Sequence, residues 1–216
     1  MGVLLLLGVV VACAVGDEDV AHVRVGYFPS DPLPFLVGAA RSWFDSEGVK
    51  VSFYHGVGGA KLAAMLDSGD LDMAVMGSSP FAEATIRGAE LVAFYVQYVI
   101  GPSEALVTRA SIKEPGDLAG TRIATSFGST MHYHLDYVKN MLVPGDFEIV
   151  EVESIEDAWD AGEIDGAFYY GGPIRHLKDH GGRELLNSAL IGDWGRPTFQ
   201  LVAASKRFAE TRAAQG

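Results

Sequence analysis

A single cysteine, Cys13, is all the thiol chemistry in 216 residues. Beyond it the chain offers no disulfide, no thiolate metal site and no cysteine nucleophile, so its structure must come from packing. Positive charge is also scarce. Sixteen lysines and arginines stand against 28 acidic residues, a formal net charge of −12. No nucleic-acid partner is expected on that balance, because phosphate binding needs a basic face; the acidity mainly favours solubility. No apolar run after the N-terminus is long enough to cross a membrane as a helix. Repeats, low-complexity stretches and long charge runs are absent, as are a nucleophile elbow, a P-loop and a zinc-protease pattern, which weakens a catalytic reading. What the chain does have is 49% hydrophobic residues, enough for one large or two small cores.

Residues 1–16 form a short apolar run followed at once by Asp17, Glu18 and Asp19. Too short to span a bilayer, and ending in the small residues Ala12-Cys13-Ala14, it reads as a secretory leader with a cut after Ala14. It lacks the lysine or arginine that leaders carry ahead of the apolar core. Because Cys13 follows Val-Val-Ala, the segment also resembles a bacterial lipoprotein signal, in which Cys13 is lipidated and tethers the mature protein to a membrane. The expected location is therefore periplasmic or extracellular, with membrane contact only through such an anchor.

From His22 onward strand-like and helix-like segments alternate, the pattern of a mainly parallel sheet with covering helices. Strands are expected at His22–Phe28, Val49–Tyr54, Asp72–Met76 and Leu91–Tyr98, with helices at Pro34–Asp45, Gly59–Asp67 and Pro80–Arg87. The apolar spacing of Leu62, Met65 and Leu66, ending at Gly69, typifies the helices. A second series places strands near Ala105–Thr108, Arg122–Thr125, Glu148–Val152 and Gly166–Tyr169. Its helices fall near Thr130–Leu142, Ile155–Ala161 and Pro173–Asp179. Strand-like Phe199–Ala204 and helical Lys206–Ala213 follow. Two linkers, Val99–Ser103 and Asp193–Thr198, bracket the second series. The chain thus leaves lobe one (22–102), builds lobe two (103–197) and returns (198–216).

The chemistry concentrates where strands give way to helices. Met76-Gly77-Ser78-Ser79-Pro80 runs from an apolar strand into a helix, with Ser79 expected as N-cap and Pro80 at the first helical position. The free N–H groups and positive dipole end there make an anion site, or the serines simply cap the helix. Thr125-Ser126-Phe127-Gly128-Ser129-Thr130 repeats the arrangement, and two such ends facing across a cleft can share one anion. Neither carries Lys or Arg, and neutral donors suit a sulfonate, whose weakly basic oxygens accept several moderate hydrogen bonds. Glu104, at the first linker, suits a ligand ammonium or is a surface glutamate. His132 and His134 point to different helix faces and His132 shares one with Asp136, so no metal site is expected; His132 is the candidate donor toward the cleft. Trp194, with Gly195 and Pro197 at the second linker, is either an aromatic wall beside a ligand or a buried anchor.

At these residues the sequence closely resembles the taurine-binding periplasmic proteins, within the sulfonate, nitrate and thiamine-precursor group of type II solute-binding proteins. The stretches are Ser68-Gly-Asp-Leu-Asp-Met-Ala-Val-Met-Gly-Ser-Ser-Pro80, Ser103-Glu-Ala-Leu106, Asp117-Leu-Ala-Gly-Thr-Arg-Ile-Ala124 and Trp159-Asp-Ala-Gly-Glu-Ile-Asp-Gly-Ala167. Trp194-Gly195, Pro197-Thr198 and Lys206-Arg-Phe-Ala-Glu210 extend it. The resemblance implies an α/β, two-lobed Venus-flytrap receptor that closes on taurine and presents it to ABC permease subunits, with no cofactor. It implies that Ser78, Ser79, Ser129 and Thr130 face the sulfonate and that Glu104 meets the ammonium. Two departures stand out: Gln200 occupies the place of a second, amine-holding aspartate, and Tyr169-Tyr170-Gly171-Gly172-Pro173 replaces an aromatic-Ala-Pro turn. Family members also continue further, with helices that cover lobe one. A monomeric binding protein without catalysis is the leading expectation. The alternatives are an enzyme like the thiamine-pyrimidine synthases, whose cysteine-rich motif is absent, and a non-binding remnant.

Overall fold

Hydrophobic spacing sets each element locally, and strand pairing decides how the elements assemble. The computed structural model describes residues 21–27, 33–56 and 58–213. The first run of elements is β1 (Ala21–Tyr27), α1 (Leu33–Ala40), α2 (Trp43–Ser46), β2 (Val49–His55), α3 (Gly59–Ser68), β3 (Met73–Gly77), α4 (Ser78–Ile86) and β4 (Leu91–Val99). The second is β5 (Glu104–Arg109), β6 (Arg122–Ala124), α5 (Thr130–Met141), β7 (Glu148–Val150), α6 (Ile155–Asp160), β8 (Gly166–Tyr170), α7 (Gly171–Asp179), β9 (Gly182–Asn187) and α8 (Ser188–Asp193). The chain closes on β10 (Phe199–Ser205) and α9 (Lys206–Ala213).

These strands make two five-stranded sheets, β2-β1-β3-β10-β4 and β7-β6-β8-β5-β9. In the first, β1 runs parallel to β2 and β3, whereas β10 is antiparallel to both β3 and β4. The second repeats the plan: β6 is parallel to β7 and β8, and β5 is antiparallel to β8 and β9. Each sheet thus receives one strand directly from the other, β5 outward and β10 back. Entering from the far side, that strand runs against its neighbours, so the sheets are mixed rather than mainly parallel. The two crossings lie side by side, with the Ile100 N–H donating to the Thr198 carbonyl at 2.8 Å.

Strand alternation distributes the cores. On β5, Leu106 faces a cluster with Ile123, Leu135, Val138 and Phe168, while Ala105 and Val107 face another with Ile155, Trp159, Ile164 and Leu177. The second sheet is therefore packed on both faces. In the first sheet, among the described residues, Leu62, Leu66, Leu71, Ala74, Met76 and Ala203 form the cluster that α3 seals. Arg24 on β1 reaches across to Asp72, just ahead of β3, donating from Nε and Nη2 at 3.0 and 2.8 Å. Burial raises the Asp72 carboxyl, but its hydrogen bonds and charge pairing with Arg24 outweigh that and hold it below the usual carboxylate range.

Two local expectations change. Pro34–Asp45 is not one helix, because Ser42 adopts a left-handed backbone (φ 54) that ends α1 and starts α2. Between α7 and the second linker the chain adds β9 and α8. Strand β9 has only Leu185 and Leu186 as an apolar signal and owes its form to pairing with β5. The leader, Cys13 and Phe28 lie outside the described residues. No helix among the described residues is long and apolar enough to cross a membrane.

Strand β4, at the edge of the first sheet, stands apart. Phe94, Tyr95, Val96, Tyr98 and Val99 are all exposed, Val99 by 59%, so successive side chains on both faces meet water. A long apolar edge strand invites association. The 216-residue chain should therefore bind a hydrophobic dye in its folded state, and joint replacement of Phe94 and Val96 by threonine should reduce that fluorescence by about half or more. Dye binding that is absent, or insensitive to the replacement, contradicts this reading of β4.

Candidate functional site

A parallel strand followed by a helix delivers the helix N-terminus to the strand's carboxyl end, and in open α/β sheets ligands collect there. Strands β2, β3, β6 and β8 all end at one cleft of about 610 Å³ between the two sheets. Helices α3, α4, α5 and α7 open into it, through Gly58 and Gly59, Gly77 and Pro80, Ser129 and Thr130, and Tyr170 and Gly171. Each helix start leaves N–H groups with no partner in its own helix and carries the positive end of the helix dipole. No lysine or arginine is among the described residues lining the cleft. Among the described residues, the groups that can face a ligand anion there are backbone N–H groups, hydroxyls, helix dipoles, the His55 imidazole and the Gln200 amide.

The first opening differs from expectation. Gly77, not Ser79, is the N-cap of α4, and Pro80 falls at the third helical position. The Ser78 hydroxyl accepts the Phe199 N–H at 3.1 Å, fastening the helix start to β10. Ser79 is half-buried, and neither serine side chain is among the groups lining the cleft. A glycine is needed at the cap for a steric reason: a Cβ on Gly77 would stand 2.8 Å from Thr130 Cγ2 of the other lobe. The α4 and α5 openings therefore meet across the cleft.

Ser129 does cap α5. Its hydroxyl accepts the His132 N–H at 3.1 Å and donates to the Ser126 carbonyl at 2.6 Å. That leaves the first N–H groups of α5, at Thr130 and Met131, directed at the cleft. Gln200, 5% exposed, lines the cleft from β10, paired in register with Gly77 and Tyr98. Two other candidates lie elsewhere. His132 turns to a surface groove, where its Nδ1 accepts the Gly128 N–H, Phe127 leans on its ring and Asp136 sits 3.7 Å away. Trp194 is 43% exposed and packs against Tyr137, outside the cleft lining.

Among the described residues Glu104 is the one carboxylate on the cleft wall, and it is 7% exposed. The Thr130 hydroxyl donates to its Oε1 at 2.6 Å, and the Ser188 hydroxyl lies 2.9 Å from its Oε2. Behind Ser188 stands His134, fully buried, with Nδ1 2.9 Å from the serine oxygen and Nε2 2.8 Å from the Arg196 carbonyl. Burial lowers the His134 pKa from the ordinary imidazole value, against a smaller upward pull from that carbonyl. Sequence reasoning passed over His134 and Ser188, since spacing says only that His134 faces away from His132. Tyr169 and Tyr170, which the sequence marked as a departure from the family's aromatic-Ala-Pro turn, stack their rings at 5.2 Å on the cleft wall. Burial pushes the Tyr169 phenol up, so it keeps its proton and remains a donor. Next to them Gly171 adopts φ 67, which explains the glycine at this turn. Among the described residues no metal-ligating cluster of three or more groups forms.

Comparison with known proteins follows the same outline. Residues 30–212 match the family described as NMT1/THI5 like. The chain belongs to that family. It is 35% identical over 198 residues to the taurine-binding periplasmic protein of Escherichia coli, covering 90% of this chain and 62% of the relative's length. The aliphatic sulphonate binding protein SsuA from Escherichia coli superposes with a TM-score of 0.75 at 22% identity, covering 90% of this chain and 68% of that one. The alkanesulfonate-binding protein SsuA from Xanthomonas axonopodis, solved bound to MOPS, gives 0.72 at 22% identity, over 88% and 68%. At that identity the structures establish the shared two-lobed α/β fold. The uncovered β4 belongs to a chain that spans under two thirds of its curated relative.

The contact between Gly77 and Thr130 gives a sharp expectation. Gly77→Ala should fold normally, because its φ of −68 is open to any residue. It should hold the two helix openings apart and weaken binding of any ligand between them by about tenfold or more. Calorimetry with ethanesulfonate checks it, and unchanged affinity would mean that a ligand does not need the lobes in this contact.

Proposed function

We propose that this chain is the solute-binding component of an ABC importer, and that its cleft takes taurine or a related alkanesulfonate without changing it chemically. One observation carries the reading: the α4 and α5 openings meet across a cleft that, among the described residues, holds no lysine or arginine and a single buried carboxylate, Glu104. An anion held without lysine or arginine should be one whose oxygens stay ionised and weakly basic, which describes a sulfonate better than a phosphate. The sulfonate lies at the α4 and α5 N-termini near Ser78, Ser79, Ser129 and Thr130, and an ammonium, where the ligand has one, lies at Glu104. The similarity to the Escherichia coli taurine-binding protein supports this class of ligand.

Gln200 tempers the selectivity. Its amide is buried on the cleft wall where the taurine-type pattern has a second carboxylate, so a single acid serves the amine. A cleft of about 610 Å³ also exceeds what taurine fills, leaving room for longer or neutral substituents. On this reading the chain works as a monomer outside the cytoplasm, passes its ligand to permease subunits, and is exported through residues 1–16 or anchored through Cys13. It performs no catalysis, in keeping with relatives that are named as binding proteins.

Calorimetry against taurine, ethanesulfonate, nitrate and a pyrimidine tests the proposal. Both sulfonates should bind. Glu104→Gln should cost taurine about 1.5–3 kcal/mol, the value of a charge-assisted hydrogen bond, and ethanesulfonate much less. Gln200→Asp should tighten taurine by up to roughly tenfold over ethanesulfonate. Heat from nitrate or the pyrimidine alone contradicts the ligand class, and equal shifts for both sulfonates contradict the placement of the amine.

A further inference from the structure

The buried polar row behind Glu104 contains more hydrogen bonds than an ionised glutamate and a neutral histidine can supply. From the interior outward it runs from the Arg196 carbonyl to His134 Nε2, from His134 Nδ1 to Ser188 Oγ, and from Ser188 Oγ to Glu104 Oε2, at 2.8, 2.9 and 2.9 Å. Each contact needs one proton between its two heavy atoms. The carbonyl only accepts, so Nε2 carries a proton. A neutral imidazole then has none on Nδ1, and the single Ser188 hydroxyl proton serves either His134 or Glu104, never both. All three contacts are satisfied only if the row holds one more proton. Either imidazolium gives to Ser188 and Ser188 to carboxylate, or protonated Glu104 gives to Ser188 and Ser188 to neutral His134.

We propose that Glu104, Ser188 and His134 act as one proton-holding unit, in which a ligand ammonium arriving at Glu104 displaces that shared proton, whereas a neutral sulfonate tail leaves it in place. This rests on the sulfonate-binding reading and adds to it two specificity-determining residues, Ser188 and His134. The exchange balances. The ammonium N–H takes over donation to Oε2, the Ser188 hydroxyl gives its proton to His134 Nδ1, Nε2–H stays on the Arg196 carbonyl, and the displaced proton passes to solvent. With no ammonium the unit carries no net charge, so Glu104 can face an apolar tail without a buried anion left unpaired. One site thereby accepts both ligand classes and distinguishes them by charge.

The surroundings favour this assignment. His134 and Ser188 are both 0% exposed, so solvent does not readily supply an alternative proton. Burial disfavours the imidazolium, which draws the shared proton toward Glu104 at the cleft end, where a ligand can displace it. Among the described residues, the other titratable or charged groups near the unit are Tyr133 and Tyr137 on α5, Tyr169 and Tyr170 on β8, Tyr98 on β4 and His55 at the end of β2 on the cleft wall, and Arg196. The Tyr133 ring lies 5.5 Å from that of His134, Tyr170 pairs with Glu104 in the sheet, and the Arg196 guanidinium lies over Tyr137 at 5.8 Å. None of these is a second carboxylate, and the one imidazole among them, His55, belongs to the first sheet.

The sign of the linkage follows. A proton leaves when taurine binds, so taurine affinity should rise with pH, by up to about tenfold per unit, until the ligand-free unit has lost its proton, and then level off. Ethanesulfonate affinity should stay flat. Calorimetry near pH 6, in two buffers of different ionisation enthalpy, counts the protons directly: release approaching one for taurine and near zero for ethanesulfonate is expected. Release should be lost in His134→Gln and in Ser188→Ala. Equal counts for the two ligands overturn the proposal, and release retained in both variants assigns the proton to Glu104 alone and overturns it as well. Heat from neither ligand would instead defeat the sulfonate reading. The unit is then decided without ligand by NMR titration of the His134 ring: Glu104→Gln should lower its midpoint, and an unmoved midpoint shows that the two groups are not coupled.

Discussion

A helix cannot satisfy its own first N–H groups, and in this protein four helices bring that deficit to the same place. Helices α3, α4, α5 and α7 follow parallel strands in two separate sheets, so their N-termini converge on the crevice between them. The sheets stay in register because β5 and β10 cross from one to the other side by side, joined at Ile100 and Thr198. The α4 and α5 openings come into contact because Gly77 has no side chain to keep Thr130 away. An anion-ready cleft is the consequence of topology plus one glycine, and it requires no cationic side chain.

Glu104 brings the opposite chemistry to the same wall. Its position at the start of β5 makes it the first residue of the strand that crosses into the second sheet. Hydroxyls from α5 and α8 meet its two oxygens, so the carboxyl is tied to both helices rather than projecting as a mobile surface acid. On the proposed reading, donors at the helix openings and an acid beside them receive a ligand with a sulfonate at one end and an amine at the other. On the same reading, Gln200 and the size of the cleft leave room for neutral sulfonates.

Much of the fold was legible because its elements carry strong local patterns. The alternation of apolar strands with amphipathic helices predicted β1 to β8, α3 to α7, β10 and α9 to within a few residues. The failures have separate causes. A left-handed Ser42 divides one periodic stretch into two helices, which periodicity alone cannot register. Strand β9 is created by pairing with β5, and β5 and β10 run against their neighbours because of a crossing that no local pattern encodes. At the site, Ser129 was readable as a helix cap, whereas Ser79 was not the cap: the tertiary approach of Thr130 favours glycine two residues earlier. Glu104 was readable as a carboxylate at the first linker, but only resemblance to known binding proteins favoured an ammonium partner over a surface glutamate. His134 and Ser188 are 54 residues apart and gain their meaning from one another, so helical spacing drew attention to His132 instead.

The central claim is that the ligand lies between the two lobes with its anion at the α4 and α5 openings and its amine at Glu104. A crystal structure of the chain with taurine, using the anomalous signal of the ligand sulfur, tests this most directly. The account predicts sulfur beside the N–H groups of Ser78, Ser79, Thr130 and Met131, and nitrogen within hydrogen-bond distance of Glu104. Sulfur beside Glu104, or taurine bound outside the cleft, would contradict it.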